Sequence, residues 1–439
     1  MSPAASAGDL AGRFAEPVPL EGRPLGEVLA RIDRDLLSGV NRLAHPMYMG
    51  HQVSAPLAAA IWMESLKAAV NNSAAVREMS PAGTAVERQV IRWMCDLAGL
   101  GAEAGGTFTS GGTEATFTAL LAARARALPD AWERGVGEGA PVVLAGEHAH
   151  YAVTRAVAEL GLGMRRAVAV PSRDHRMDTR ALAGRLAQLR AEGVPVMAVV
   201  ATAGSTATGS FDDLDTIGRL CEEHDAWLHV DGAHGASALV SARHRHRVRG
   251  IERARSIAWD PHKLLLMPLG TGMLLVRDEA ELDRAFLQRA PYLFHGAGGR
   301  VLDQGVRSFL CSRPVDVLKL WVALQRYGLE GLAAAHDHLC DVAHGLWELI
   351  GTRDDFEAMH EPESNILCFR WRECGLDDEA LDDRNRRLRE AYNLSGAGWI
   401  TTTVLDGRRV LRVTIMNPRT RASHTRALLD GLAVEAARL

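Results

Sequence analysis

Lysine is nearly missing from this chain: among fifty basic residues only Lys67, Lys263 and Lys319 are lysines, and arginine supplies the rest. No CxxC pair occurs among the six cysteines (Cys95, Cys221, Cys311, Cys340, Cys368 and Cys374). The spacing therefore predicts buried thiols in a reducing compartment, with no disulfide frame and no zinc site. Long apolar runs are also lacking, and the stretch VPVMAVVATAG has the length of a buried strand, not of a membrane span. The start of the chain has neither the basic residues nor the apolar core of a signal peptide, so a cytoplasmic protein is expected. There is no excess of positive charge: a net charge of −4 and an isoelectric point near 6.5 argue against nucleic acid or an anionic membrane as partner. The one basic run, Arg243 to Arg249, reads as a solvated face. Aromatic residues make up only 5% of the chain, which leaves Leu, Val and Ala to build the core.

The 439 residues, 47% of them hydrophobic, suffice for a large domain and a smaller one. Residues 1 to about 22 are rich in Ala, Gly, Ser and Pro and are expected to be disordered or loosely attached. A helix is expected from Leu25 to Leu43, where apolar residues recur at helical spacing until His45-Pro46 breaks the pattern. Helices at about 57 to 72 and 81 to 98 follow, the second opened by Ser80 as cap and Pro81 in the first turn. A short strand at Thr107 to Thr109 runs into Ser110-Gly111-Gly112-Thr113 and a helix from Glu114, a weak anion-binding signal taken alone. From about 141 short apolar strands alternate with helices, the mark of a parallel sheet covered on both faces. Ligands of such sheets sit beyond the carboxyl ends of the strands, where His148, His150, Thr202, Ser205, Asp231, His262 and Lys263 all fall. A helix over 279 to 290 leads to the glycine-rich GAGGRVLDQGVRS, a lid or a plain connector. A helix from 314 to 327 stops at Gly328, and the remainder reads as a smaller α+β region.

Lys263 stands between His262 and an apolar run. Schiff-base chemistry needs an amine and cannot use a guanidinium, because only the amine deprotonates to become a nucleophile. In order along the chain stand SGGTEAT, HAHY, ATAGSTATGSFDDL, HVDGAHG, DPHK, YLF, CSRPVDVLKLW and LRVTIMNP. This succession resembles the group II pyridoxal-phosphate-dependent amino-acid decarboxylases, the family of glutamate, aromatic amino-acid and diaminobutyrate decarboxylases, over about residues 25 to 437. The resemblance implies an α/β protein of the fold type I transferase class, with a mostly parallel seven-stranded sheet and a smaller C-terminal α+β domain. Its divisions would be an arm at 1–56 that wraps a partner subunit, a cofactor domain at 57–312 and a small domain at 313–439. Lys263 would carry pyridoxal 5'-phosphate as a Schiff base, with Asp231 on the pyridine nitrogen and His150 stacked on the ring. Gly112 and Thr113 would bind the phosphate, Thr202 and Ala233 line the ring, and His262 contact the phosphate or the substrate adduct. Arg412 matches the arginine near the substrate carboxylate, and His51 and Gln52 fall where the N-terminal segment reaches the substrate side chain. The implied reaction removes the α-carboxylate of an amino acid as carbon dioxide and leaves an amine. The YLF and CSRPVD segments favour an acidic substrate. The active site would lie at the interface of a homodimer.

Two departures stand out. Many members of the family carry a proton-donating tyrosine in the mobile loop, and no tyrosine lies between Phe294 and Cys311 here. His295 and His262 are the remaining candidates. If Cα protonation fails, the outcome becomes oxidative deamination, transamination or another carbon-bond reaction on the same scaffold, with a carbonyl product. Arg255 stands where the family often has an acidic residue. A non-enzymatic homologue is the third reading, and the presence of Lys263, Asp231 and His150 argues against it.

Overall fold

The computed structural model describes residues 7–287, 290, 294 and 303–439. The chain divides into two compact units, one made of residues 53–341 and 362–366, the other of 1–52, 342–361 and 367–439. Among the described residues no helix is long and apolar enough to cross a membrane.

The first unit is built on a seven-stranded sheet. Its strands are β1 (Gly105–Thr109), β2 (Val142–Gly146), β3 (Ala167–Val170), β6 (Val196–Thr202), β7 (Trp227–Asp231), β8 (Ser256–Trp259) and β9 (Gly272–Val276). A hairpin of β4 (Ser172–Arg173) and β5 (Arg176–Met177) lies outside that sheet. The order is β1-β9-β8-β7-β6-β2-β3, and all pairings are parallel except those of β9 with β1 and β8. This is the mostly parallel seven-stranded sheet that the motif order implied.

Both faces of the sheet are covered, which is why its strands read as unbroken apolar runs. On β6, Val199 and Ala201 join one core cluster with Ile91 and Met94 of the helix Pro81–Leu97 and Leu182 and Leu186 of the helix Thr179–Ala191. Ala198 and Val200 join the other, with Leu120 of the helix Gly112–Ala127 and Val153 and Val157 of the helix Ala152–Glu159. The alternation follows directly from the two-residue period of a strand.

Helix starts fall where short acidic side chains satisfy free N–H groups. Asp178 accepts from Arg180 N at 2.8 Å and Asp213 from Thr216 N at 3.1 Å. Ser80 precedes Pro81 as expected, but its side chain makes no capping bond. The helix expected at 279 to 290 covers only Ala280–Ala285 among the described residues. Beyond it, Asp303 onward is packed and not a loose connector: the buried Arg307 pairs with Glu279 and Asp283, each at 2.6 Å. Residues 295–302 lie outside the described residues. Helical dihedrals break once within Val317–Gly351, at Gly328 (φ 67°), the stop the sequence indicated.

His229, fully buried in β7, bonds Ser256 Oγ at 2.9 Å, and burial pushes it down to about 4. An unfolded histidine protonates near 6.5, so the unfolded chain gains a proton that the folded chain refuses as the pH falls. This contribution is complete above about pH 6.5 and is lost between there and about pH 4, for roughly a few kcal/mol in total. Urea unfolding at pH 7 and pH 4.5 should show the loss, and His229→Gln should flatten it. An unchanged slope in the variant refutes the assignment.

The second unit carries a four-stranded sheet of order β10-β11-β13-β12, comprising β10 (Phe356–Ala358), β11 (Ile366–Trp371), β12 (Thr401–Leu405) and β13 (Arg408–Thr414). The helices Asp378–Ser395 and Ala422–Ala436 belong to the same unit. The N-terminal segment departs from expectation. Residues 7–14 form a helix, and Arg13 and Glu16 tie the segment down through Ser38 Oγ at 2.8 Å and Arg31 at 2.6 Å. The single helix expected from Leu25 is shorter, Leu25–Arg31, and continues as a π turn to Leu36 and a 3-10 turn to Gly39. β10 had no signal, since three residues are too short for a period to show.

Candidate active site

The carboxyl ends of the parallel strands of the first unit open into a cavity of about 370 Å3. All eight residues expected from sequence to serve a cofactor line it: Gly112, Thr113, His150, Thr202, Asp231 and Ala233, with His262 and Lys263. A larger hollow of about 710 Å3 contains none of them.

Three turns build the floor. β1 runs through Ser110 and Gly111 into the helix Gly112–Ala127, whose first-turn N–H groups have no intrahelical acceptor and favour an anion. Ser110 N and Oγ both donate to Glu114, at 2.8 and 2.7 Å. A Cβ on Gly112 would stand 2.8 Å from the Ala233 Cβ and 3.1 Å from Asp260, so only glycine lets these segments approach. β7 ends in Asp231, paired in register with Thr202 on β6, and Asp231 Oδ1 accepts from Ala233 N at 3.3 Å. Beyond β8 comes the tight turn Asp260-Pro261-His262-Lys263, closed by Lys263 N donating to the Asp260 carbonyl at 2.9 Å. Ser54 Oγ pins the turn by donating to the His262 carbonyl at 3.0 Å.

The charges are arranged around the lysine. Asp260, almost fully buried, lies 3.1 Å from Lys263 Nζ and 3.6 Å from His262 Nε2, and its Oδ1 has no hydrogen-bond partner. In sequence Asp260 stands only as the first residue of DPHK, and its i,i+3 spacing from Lys263 is the signal that links the two. Burial pushes His262 and His150 below the usual histidine range; for His150, Asp231 pulls the other way and Lys263 reinforces the shift. Both rings are therefore neutral at pH 7. Ala152 N donates to His150 Nδ1 at 3.2 Å, which puts the ring proton on Nε2. His234 also lines the cavity and bonds Asn365 at 2.7 Å.

The other two lysines have a different task. Lys67 and Lys319 share Asp316 at 2.6 and 2.8 Å and Glu64 at 2.8 and 3.0 Å, a single ion cluster in which the lysines are buried and the carboxylates partly exposed. Lys263 lines this cavity, and neither Lys67 nor Lys319 does. Arg255, the unexpected cation at the start of β8, lies over the Trp227 ring at 5.7 Å.

Arg412, His51 and Gln52 belong to the second unit. Arg412 on β13 is buried, and its Nε and Nη2 have no hydrogen-bond partner; the same holds for Gln52 Nε2. His51 stands 5.1 Å from the Trp399 ring, on which Tyr48 stacks at 5.0 Å. Burial first, then Arg412 and Arg389, push His51 down. Tyr292, Leu293 and His295 lie outside the described residues.

An amine able to form an imine, a carboxylate at a neighbouring strand end and an anion-binding turn, all on one cavity of a mostly parallel sheet, are the parts a pyridoxal-phosphate enzyme of fold type I requires. The cavity's size and the orphaned, buried Asp260 Oδ1 fit a polar cofactor. The family model described as "Pyridoxal-dependent decarboxylase conserved domain" matches residues 8–372. L-2,4-diaminobutyrate decarboxylase of Rhizobium meliloti (strain 1021) is 34% identical over 97% of this chain and 84% of its own length. Cysteine sulfinic acid decarboxylase of Rattus norvegicus is 36% identical over 79% of this chain and 70% of its own. The crystal structure of mouse CSAD in apo form superposes with a TM-score of 0.93 at 29% identity, covering 100% of this chain and 94% of that one. The chain belongs to the pyridoxal-dependent decarboxylase family. It is a pyridoxal-phosphate-dependent carboxy-lyase acting on an amino acid.

Proposed function

We propose that the substrate is an acidic amino acid and the product the corresponding amine. The observation that carries this is the second unit's pair of cations, Arg412 with two orphaned donors and Arg389, together with the His51 ring and the orphaned amide of Gln52. Burial pushes the Arg412 guanidinium below its ordinary range, with the Cys368 thiol pulling the other way and no carboxylate among the described residues opposing the shift. A buried guanidinium without an acceptor costs free energy that an incoming carboxylate recovers, and its planar fork suits a carboxylate bidentately. We assign Arg412 to a substrate carboxylate and His51 and Gln52 to side-chain selection.

Bound pyridoxal phosphate supplies an electron-accepting ring. Lys263 provides the tethering amine, Gly112 and Thr113 the phosphate cradle, and Thr202 and Ala233 the walls beside the ring. Asp231 holds a proton on the ring nitrogen. His150, neutral, offers a flat face with no competing charge. Asp260, at 3.1 Å, orients the Lys263 amine. His262, whose Nε2 lies against Asp260, is the candidate to take up a proton and pass it to Cα.

The test is a panel of glutamate, aspartate, cysteine sulfinate, 2,4-diaminobutyrate and aromatic amino acids, read by carbon dioxide release and product mass together. Acidic substrates should exceed the others at least about tenfold in kcat/KM, the value of one well-placed charged contact. Arg412→Gln should lower kcat/KM by about 10²-fold. Aldehyde with peroxide and no amine would sink the amine assignment. A second reading, 2,4-diaminobutyrate, is favoured by the diaminobutyrate decarboxylase match over nearly the whole chain, and a preference for that substrate overturns the acidic one.

We also propose a homodimer in the cytoplasm, with 1–56 as an arm wrapped on the partner, 57–312 as the cofactor domain and 313–439 as the small domain. The arm exposes Leu25, Leu29, Leu36 and Leu37, each about half accessible or more, a stripe too apolar to face water. All six cysteines are free, which suits a reducing compartment, but only four are buried as expected: Cys311 and Cys374 are exposed. Light scattering should report twice the chain mass, and deletion of residues 1–40 should shift it toward the monomer. A monomeric full-length chain contradicts the proposal.

A further inference from the structure

The basic run at 243–249 is not a plain solvated face. Arg243 pairs with Asp341 at 2.6 Å and Arg247 with Glu363 at 3.3 Å, and between them His244 turns inward. Both of its ring nitrogens are buried without a hydrogen-bond partner. Opposite it, one face of the helix Val317–Gly351 presents His336 and Cys340, spaced i,i+4 and both buried. The His244 and His336 rings are 5.3 Å apart, and Cys340 Sγ is 4.0 Å from His336 Nδ1. One donor atom from each of the three residues lies within 4.8 Å of the other two. Asp337 Oδ1, which accepts from Ser241 Oγ, stands 3.6 Å from His336 Nδ1 and 3.8 Å from His244 Nε2. All of these residues belong to the first unit, and none lines the cofactor cavity.

We propose that His244, His336 and Cys340 form a binding site for a thiolate-preferring divalent cation of the zinc class. Two imidazoles and a thiolate are the donors such ions select, and a tetrahedral ion takes them with one position left for water. Metal bonds of about 2.0–2.3 Å place donor atoms a little closer than the separations seen, so closing on an ion takes shifts of well under about 1 Å. Binding forms two metal–nitrogen bonds and one metal–sulfur bond and releases the thiol proton to solvent. The Asp337 carboxylate beside both rings balances the added charge. A packing-only reading leaves the two His244 nitrogens without partners, a cost the ion removes at one of them. The site ties the helix to the segment that leads from Asp231 toward Lys263. Because its donors come from separate parts of the chain, a search for CxxC spacing does not find it.

The test uses the cofactor-loaded protein freed of metal by a chelator and titrated with Co2+, then with Zn2+. One equivalent of Co2+ should give the long-wavelength bands of a tetrahedral ion, beyond the cofactor's own absorption, with a sulfur-to-metal charge-transfer band. Zn2+ should displace it and raise Tm by about a few degrees. Cys340→Ser should remove the charge-transfer band, and Cys340→Ser and His244→Ala should each weaken binding at least about tenfold. Cys311→Ser, at an exposed thiol, should change nothing. Circular dichroism and cofactor absorption verify folding; if Cys340→Ser fails that check, His244→Ala, at a partly exposed ring, decides. No tetrahedral spectrum in the parent, or equal binding by parent and His244→Ala, overturns the proposal.

Discussion

Lys263→Ala should abolish decarboxylation, by about 10⁴-fold or more, and remove the near-visible absorption of the lysine-bound cofactor. That is the scale of loss when a residue of covalent catalysis is deleted. The other two lysines provide the control. Lys319 is buried against Asp316 and Glu64, at 2.8 and 3.0 Å. Lys319→Ala removes a buried ammonium from the partly exposed Glu64 and Asp316, which keep Lys67, and should cost about 1–3 kcal/mol of stability. Below the resulting unfolding transition it should still absorb near the visible edge. A Lys263→Ala protein that keeps both the absorption and the turnover would remove the basis for the cofactor assignment.

Asp231→Asn should lower kcat by about 10²–10³-fold while the cofactor stays bound, the range seen when one group that stabilises developing charge is lost. The amide keeps the size of the carboxylate but cannot hold a proton on a ring nitrogen. Lys263 and the Gly112–Thr113 turn are untouched by the change, so cofactor absorption should persist. Its separation from activity is the diagnostic. Loss of both together would give Asp231 a structural task at the end of β7 instead.

Much of this was legible in the chain because strand ends are short-range features. Asp231 closes an apolar run, and Lys263 closes the turn after another. A parallel sheet brings such ends to one side whatever the loops between them do. The glycines at 111 and 112 were legible for the same reason, since a turn from strand to helix is local. The task of Asp260 is not legible in sequence, because its partner atom, Lys263 Nζ, is reached only once the turn is closed at 2.9 Å. β10 escaped because it is too short to show a period. The helix at Ala7–Phe14 escaped because its holding contacts, Arg13 to Ser38 and Glu16 to Arg31, reach across residues that composition treats as loose.

By itself, then, the sequence determined the α/β class, the order of the motifs, the lysine able to carry an imine and the family those motifs define. Tertiary structure decided what sequence spacing does not encode. It separated Lys263 from Lys67 and Lys319 by giving those two a shared pair of carboxylates, and it left Arg412 and Gln52 with buried donors and no acceptor. It also set His244 beside His336 and Cys340. Each depends on which side chains meet after distant segments pack, and burial then fixes the energetic consequence: a charge or donor is either paired there or awaits a ligand.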